Sequence, residues 1–222
     1  MSLTLAFDVY GTLIDTHGLI PALTPLVGEA APAFSRDWRA RQLEYAFRRG
    51  LMRRYDTFER CTRDALEQTC RVYRIAPEAA QLDALIDGYR RLPAFADVAP
   101  GLAALARAGH RLYAFSNGTA EAVETLLDHA GIRDRFSGVV SVEAVRAFKP
   151  DPAVYAHFLA TTGTRPEHAW PVSSNPFDVI GARATGMRAV WVRRDPEQPF
   201  DPWGDEPDRV VADLGELPEV FG

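Results

Sequence analysis

The chain has 222 residues, 47% of them hydrophobic and 25% charged, proportions of a folded globular protein rather than of a disordered or fibrous one. Its 25 basic and 30 acidic residues leave a net charge of -5, which disfavours nucleic acid or an anionic membrane as partner. No apolar run approaches the roughly 18 residues of a membrane span, and the opening MSLTLAFDVYG lacks the basic start of a signal peptide, so a cytoplasmic protein is expected. Cys61 and Cys70 fall in one predicted helix, about 13 Å apart along its axis and too far for a disulfide. Both are expected to be half-buried thiols in a reducing compartment.

In chain order, Leu3 to Phe7 reads as a short apolar strand, and the stretch after it is helical in period. Trp38, Tyr45 and Met52 at heptad spacing, with Leu43 and Phe47 beside them, outline one amphipathic helix. Asp56 followed by Glu59 looks like the acidic start of a second, and Pro77 opens a third that runs to about Arg91 before Pro93 stops it. From Ala94 onward short apolar runs alternate with helical stretches. The strands expected there are Leu112 to Phe115, Gly138 to Val142, Ala169 to Ser173, Arg188 to Val192 and, more weakly, Val210 to Ala212. Helices are expected from Thr119 to Ala130, Pro152 to Thr162 and Phe177 to Thr185, closed by Gly131, Gly163 and Gly186. Such alternation predicts an α/β fold: a Rossmann-like parallel sheet covered by helices on both faces. The helical stretch is then an inserted all-helical cap domain of residues 15–93, and the core domain comprises residues 1–14 and 94–222. The eleven arginines between Arg36 and Arg74 are interleaved with Asp37, Glu44, Asp56, Glu59, Asp64 and Glu67, and this region is expected to be a solvated, ion-paired face.

The chemistry-bearing residues sit where strands end. Asp8 follows the first strand in FDVYGTLID, with Gly11 for a tight turn and the hydroxyl of Thr12 next to it. Strand ends of an open parallel sheet point into the binding crevice, so this carboxylate should face a ligand. FSNG offers Ser116, Asn117 and the N–H groups of a following helix. Lys149, in FKPDPAVY, is the one lysine in a chain whose other 24 basic residues are arginine, which suggests a site needing a compact ammonium rather than a planar fork. VSSNPFD brings Ser173, Ser174, Asn175 and Asp178 to the same rim.

This series of strand ends resembles the haloacid dehalogenase superfamily over essentially the whole chain. Within it the chain is most similar to the L-2-haloacid dehalogenase branch: Tyr10 stands where the superfamily's phosphatases carry a second Asp, Trp38-Arg39 and the run Gln42 to Tyr45 (QLEY) match the first cap helix, and Ser173 to Asp178 reads SSN-x-x-D. The resemblance implies that Asp8 attacks C2 of a short 2-haloacid and that water hydrolyses the resulting ester. It implies Lys149 beside Asp8, Arg39 and Asn117 receiving halide, Ser116 under the substrate carboxylate, and Asp178 activating water with Ser173 and Asn175, while Thr12 supports Asp8. Tyr10, Leu43, Phe58 and Phe177 are candidate walls for the alkyl group, although Leu43 and Phe58 read equally as core, and Tyr155 is expected to hydrogen-bond near Lys149. No metal and no cofactor is expected, because Asp8 and Asp178 are the only motif carboxylates and magnesium wants more. The expected partners are a small 2-haloacid and halide, with dimerisation through the cap a family expectation. The alternatives are a magnesium-dependent phosphatase and a non-catalytic binding protein on the same fold.

Overall fold

The computed structural model describes residues 2–221; Met1 and Gly222, the outer limits of the predicted core domain, lie outside the described residues. These residues form a six-stranded sheet of β1 (Thr4–Phe7), β2 (Arg111–Ser116), β3 (Gly138–Ser141), β4 (Ala169–Ser173), β5 (Val190–Val192) and β6 (Arg209–Val211). The order is β3-β2-β1-β4-β5-β6 and every pairing is parallel. β1 and β4 are buried along their whole length, as strands covered on both faces must be. The chain steps outward from β1 to one edge through β2 and β3, then returns to β1's other side with β4. That reversal leaves a crevice at the carboxyl ends of β1 and β4.

The chain from β1 to β2 carries a helical insertion of four helices, α1 (Ile20–Val27), α2 (Ala31–Leu51), α3 (Phe58–Val72) and α4 (Ala79–Tyr89), ahead of a fifth that leads into β2. They are followed by α5 (Val98–Arg107), then α6 (Ala120–His129), α7 (Pro152–Thr162), α8 (Pro176–Ala184) and the short α9 (Leu217–Phe221). The two connections between the helical insertion and the sheet run side by side, with Ile14 bridged to Ala94 and Asp15 N–H donating to Pro93 O at 2.9 Å.

The α/β architecture is as expected, and α7 matches its predicted span. Several local expectations need correction. α3 starts one residue later than Asp56 suggested, because Thr57 is its cap and accepts the Arg60 N–H, while Asp56 holds the Thr57 N–H. Met52 does not belong to the buried stripe of α2; it lies beyond the helix end and is 58% exposed. Cys61 and Cys70 are buried rather than half-buried, and both are free. Burial pushes the Cys61 thiol up to about 11, so it is an inert core group. The arginine-rich region is ion-paired in part, with Arg48 on Glu44, Arg49 and Arg60 on Asp64 at 2.8 Å, and Arg63 on Asp83 at 2.7 Å, while Arg39 and Arg53 make no ion pair among the described residues and Arg41 Nε is buried without a partner. Among the described residues no helix is long and apolar enough to cross a membrane.

Candidate active site

The parallel register pairs Phe7 with Ala114 on one side and with Val172 on the other, which sets Asp8 level with the ends of β2 and β4. Gly11, at φ +87°, then turns the chain back, a conformation that side chains resist. The turn delivers Thr12 under the carboxylate. Asp8 Oδ2 faces three neutral donors: Asn175 Nδ2 at 2.7 Å, Thr12 Oγ1 at 3.0 Å and Ser173 Oγ at 3.3 Å. Thr12 is fixed in turn, accepting the Ser174 N–H at 2.8 Å. Asp8 Oδ1 meets one donor, Lys149 Nζ, at 3.2 Å. The two oxygens of one carboxylate are therefore unlike: one is crowded by donors and the other is comparatively free.

Lys149 is buried, and its ammonium makes three contacts: Asp8, Asp178 Oδ2 at 2.8 Å and the carbonyl of Phe115 at 2.8 Å. Burial opposes the charge on Lys149, but the Asp178 and Asp8 carboxylates outweigh it, so its pKa is held above the ordinary lysine value. Asp178, fully enclosed, is pushed up by burial against the pull of Lys149. Its other oxygen accepts the Tyr155 hydroxyl at 2.8 Å, and Tyr155 is held as a neutral phenol by burial and by that carboxylate. Tyr155 fits because residue 181 is glycine: a Cβ there would lie 2.5 Å from the Tyr155 oxygen and 2.7 Å from Pro150 Cβ. Asn117 acts on the same lysine, its Oδ1 accepting the Lys149 backbone N–H at 2.9 Å, which leaves its amide donors for another partner. Ser116, at the end of β2, is buried, and its Oγ accepts the Gly118 N–H at 3.1 Å, so its hydroxyl proton can be donated elsewhere.

From the insertion, Arg39 reaches back to the Tyr10 carbonyl at 3.1 Å, and its other nitrogen is held by Gln42 Oε1 at 2.6 Å. It makes no ion pair among the described residues. Phe58 lies against it, 6.0 Å from ring centroid to guanidinium carbon. Tyr10 packs between Phe58 at 5.5 Å and Tyr89 at 5.7 Å, and burial raises its hydroxyl's pKa. Phe177 stands edge-on to Phe47 of α2 at 5.1 Å, a contact between insertion and sheet domain. Leu43 is half-buried against the hydrophobic core.

The motifs gave some participants no role, Gln42 of the QLEY run among them, and missed others. Gln42 organises the Arg39 side, accepting from Arg39 and from the Tyr89 hydroxyl at 3.0 Å while donating to Thr62; its spacing of three from Arg39 on a helix was the available signal. Arg194 donates twice to the Thr12 carbonyl, at 2.7 and 2.9 Å, and forms a two-pronged pair with Asp97 at 3.0 Å. Nothing local marks it, since its partners lie far away in the chain. The Phe115 carbonyl on Lys149 is backbone and has no sequence signature.

Among the described residues there is no cluster of three or more His, Cys, Asp or Glu side chains at metal-holding distances, and the space between Asp8 and Asp178 is taken by an ammonium. A buried carboxylate at the switch point of a parallel sheet, with an ammonium on one oxygen and neutral donors on the other, is the equipment of an α/β enzyme that works through a carboxylate.

Comparison with known proteins agrees. The haloacid dehalogenase-like hydrolase family matches residues 3–186. An (S)-2-haloacid dehalogenase of Pseudomonas sp. (strain YL) is 37% identical over 221 residues, covering 98% of this chain and 93% of that protein. Haloacetate dehalogenase H-2 of Moraxella sp. (strain B) is also 37% identical, over 93% of this chain and 92% of its own. The L-2-haloacid dehalogenase structure from Xanthobacter autotrophicus superposes with a TM-score of 0.93 at 32% identity, covering 100% of this chain and 98% of that one, and that enzyme has also been solved with chloropropionic acid covalently bound. The chain belongs to the haloacid dehalogenase-like hydrolase family.

Proposed function

We propose that the protein is an (S)-2-haloacid dehalogenase, which hydrolyses the C2–halogen bond of short 2-haloalkanoic acids to (R)-2-hydroxy acids through an ester on Asp8. The observation that carries this reading is the Lys149 ammonium lodged between Asp8 Oδ1 and Asp178 Oδ2. It leaves Asp8 a positioned nucleophile rather than half of a metal-binding pair.

The unlike oxygens of Asp8 divide the chemistry. Oδ1, with one donor against three, is the better nucleophile; it attacks C2 in line and the halide leaves with the bonding pair, received by Arg39 and the free amide donors of Asn117. Ser116 and nearby backbone N–H groups hold the substrate carboxylate. Water then adds to the Asp8 carbonyl carbon, losing its proton to Asp178, whose raised pKa suits a base. The negative charge developing on Oδ2 meets Thr12, Ser173 and Asn175, which form its oxyanion hole. The intermediate then collapses by breaking the bond from the carbonyl carbon to the former Oδ1, which leaves as the hydroxyl oxygen of the 2-hydroxy acid, taking back the proton held by Asp178. The Asp8 carboxylate is restored with one oxygen from water. Tyr155 orients Asp178. Tyr10 and Phe58, with Phe177 and Leu43 further out, wall the alkyl group and exclude water while the carboxylate attacks.

The same proposal takes residues 15–93 as a cap on a core of residues 1–14 and 94–222, supported by the paired connections at Ile14–Ala94 and Asp15–Pro93. It places the protein in the cytoplasm, consistent with two free cysteines, and expects a homodimer through the insertion, where Leu51, Met52 and Val72 are exposed.

The test is halide release from (S)-2-chloropropionate after exhaustive chelation, followed by one turnover in heavy-oxygen water with enzyme in excess. Full activity, an unlabelled first-turnover product and a mass gain on the Asp8 peptide are expected. Activity that magnesium must restore would sink the reading, and label in the first product would reduce Asp8 to a general base.

A further inference from the structure

Two crevices open where the helical insertion meets the sheet domain, and their charges differ in kind. One is lined by Glu59 and Glu121 with Arg90, and the Thr119 hydroxyl donates across it to Glu59 at 3.3 Å. The other is lined by Gly50, Arg53 and Tyr55 from the insertion and by Arg146, Ala147 and Asp151 from the sheet domain. Its one lining carboxylate, Asp151, is engaged at the start of α7, accepting the Ala153 N–H at 2.9 Å. Arg53 and Arg146 make no ion pair among the described residues, and the Arg146 guanidinium lies 5.3 Å from the Tyr55 ring centroid. The Tyr55 hydroxyl is buried without a hydrogen-bond partner, a state that buried polar groups rarely keep. The second crevice thus presents two guanidinium groups with no acceptor of their own, beside a buried hydroxyl that also lacks one.

Arg53 and Arg146 adopt φ of +53° and +49°, the left-handed conformation in which each closes the helical segment before it. The third such residue, Arg74, is not in the crevice. From the crevice an aromatic series leads inward: Tyr55 to Phe148 at 5.0 Å, Phe148 to Phe58 at 6.4 Å, and Phe58 to Tyr10 at 5.5 Å. Phe148 directly precedes Lys149, whose ammonium touches Asp8.

We propose that this crevice is an anion-recruiting vestibule in which Arg53 and Arg146, beside Tyr55, take the carboxylate of a short monocarboxylic acid and raise its concentration at the seam next to the Phe148–Lys149 segment. Unpaired charges at the mouth of a low-dielectric cleft raise the capture rate of an oppositely charged ligand, and salt screens them over about 8 Å. The identity of the ligand as a 2-haloacid rests on the dehalogenase reading; the site for a carboxylate does not.

Asparagine tolerates left-handed backbone, so Arg53→Asn and Arg146→Asn remove charge while keeping the chain path, and Arg74→Asn is the control. The double variant should lower the second-order rate of first-turnover halide release from (S)-2-chloropropionate by about tenfold at low salt. Each single variant should lower it less, and the rate at saturating substrate should not change. The decline of the wild-type rate with salt should flatten in the double variant. Independently of turnover, titration with unreactive propionate should shift the backbone amide signals of positions 146 and 147 in the wild-type protein and not in the double variant. A double variant captured as fast as wild type, a matching fall at saturating substrate, an equal effect of Arg74→Asn, or no propionate shift in the wild type would each overturn the vestibule. Absence of halide release from the wild type, with the propionate shifts intact, would instead remove the dehalogenase reading and leave the carboxylate site standing.

Discussion

Charge is concentrated in two parts of this molecule, and they obey different physics. On α2 and α3, arginines pair with carboxylates in the open: Arg48 and Glu44 are 62% and 45% exposed. Around Asp8, the Lys149 and Asp178 side chains are each 1% exposed. Water screens the first set, so each pair contributes little. In the second set a removed partner leaves a buried charge uncompensated, at about 3–5 kcal/mol. A chain that uses arginine everywhere else keeps its lysine in the buried set, where an ammonium must touch two carboxylates and a carbonyl at once.

The sharpest way to break the contrast is Lys149→Arg. A guanidinium is too large for the pocket and cannot act as a point charge, so a turnover loss of roughly a hundredfold or more is expected, about 3 kcal/mol of transition-state stabilisation. Turnover near wild type would put the buried set under surface rules. Next comes Gly181→Ala, which in a helix free of contacts would stabilise by about 1 kcal/mol. Here the added methyl must displace the Tyr155 hydroxyl or Pro150; a destabilisation of about 1–3 kcal/mol and a roughly tenfold lower kcat are expected as Asp178 loses its orienting partner. Thermal unfolding that moves upward would contradict the packing described.

Asp97, paired with Arg194, lies between the extremes. Burial works against its charge, but the Arg194 hydrogen bonds and the Leu214 N–H prevail, and its pKa is lowered. A carboxyl lowered on folding adds stability that is complete above the unfolded value, about 3.9, and lost as pH falls through the folded value. Asp97→Asn should therefore cost about 1 kcal/mol at neutral pH, with the gap to wild type closing below about pH 4 in denaturant titrations; a gap independent of pH would mean that the pair acts through packing alone. At the bottom of the scale, Glu44→Ala should change stability by less than about 0.5 kcal/mol, and a larger loss would show that the α2 face is not the solvated surface it resembles.

The legibility of the chain followed the range of its interactions. β1 and β4 were readable as short apolar runs, and α7 was readable to the residue because Pro152 opens it and Gly163, at φ +62°, closes it. α1 was not, since it carries Pro21 and Pro25 and reads as broken. α5 was hidden by Pro100 and Gly101 in its first turns. Met52 misled because heptad spacing continues past the residue where the helix itself stops.

Asp8, Thr12, Lys149, Ser173, Asn175 and Asp178 were legible because a parallel sheet turns strand ends into one rim, so residues distant in the chain can be assigned to one place from strand order alone. That much belongs to the sequence by itself. Which oxygen of Asp8 is crowded and which is free, that Asn117 braces the Lys149 backbone, that Arg194 holds Thr12 across 182 positions, and that Arg53 and Arg146 line one crevice with Tyr55 were decided only by the tertiary structure. Those facts depend on side-chain distances of about 3 Å, where hydrogen bonding is selective, and such distances are set by how whole elements pack, which no local pattern encodes.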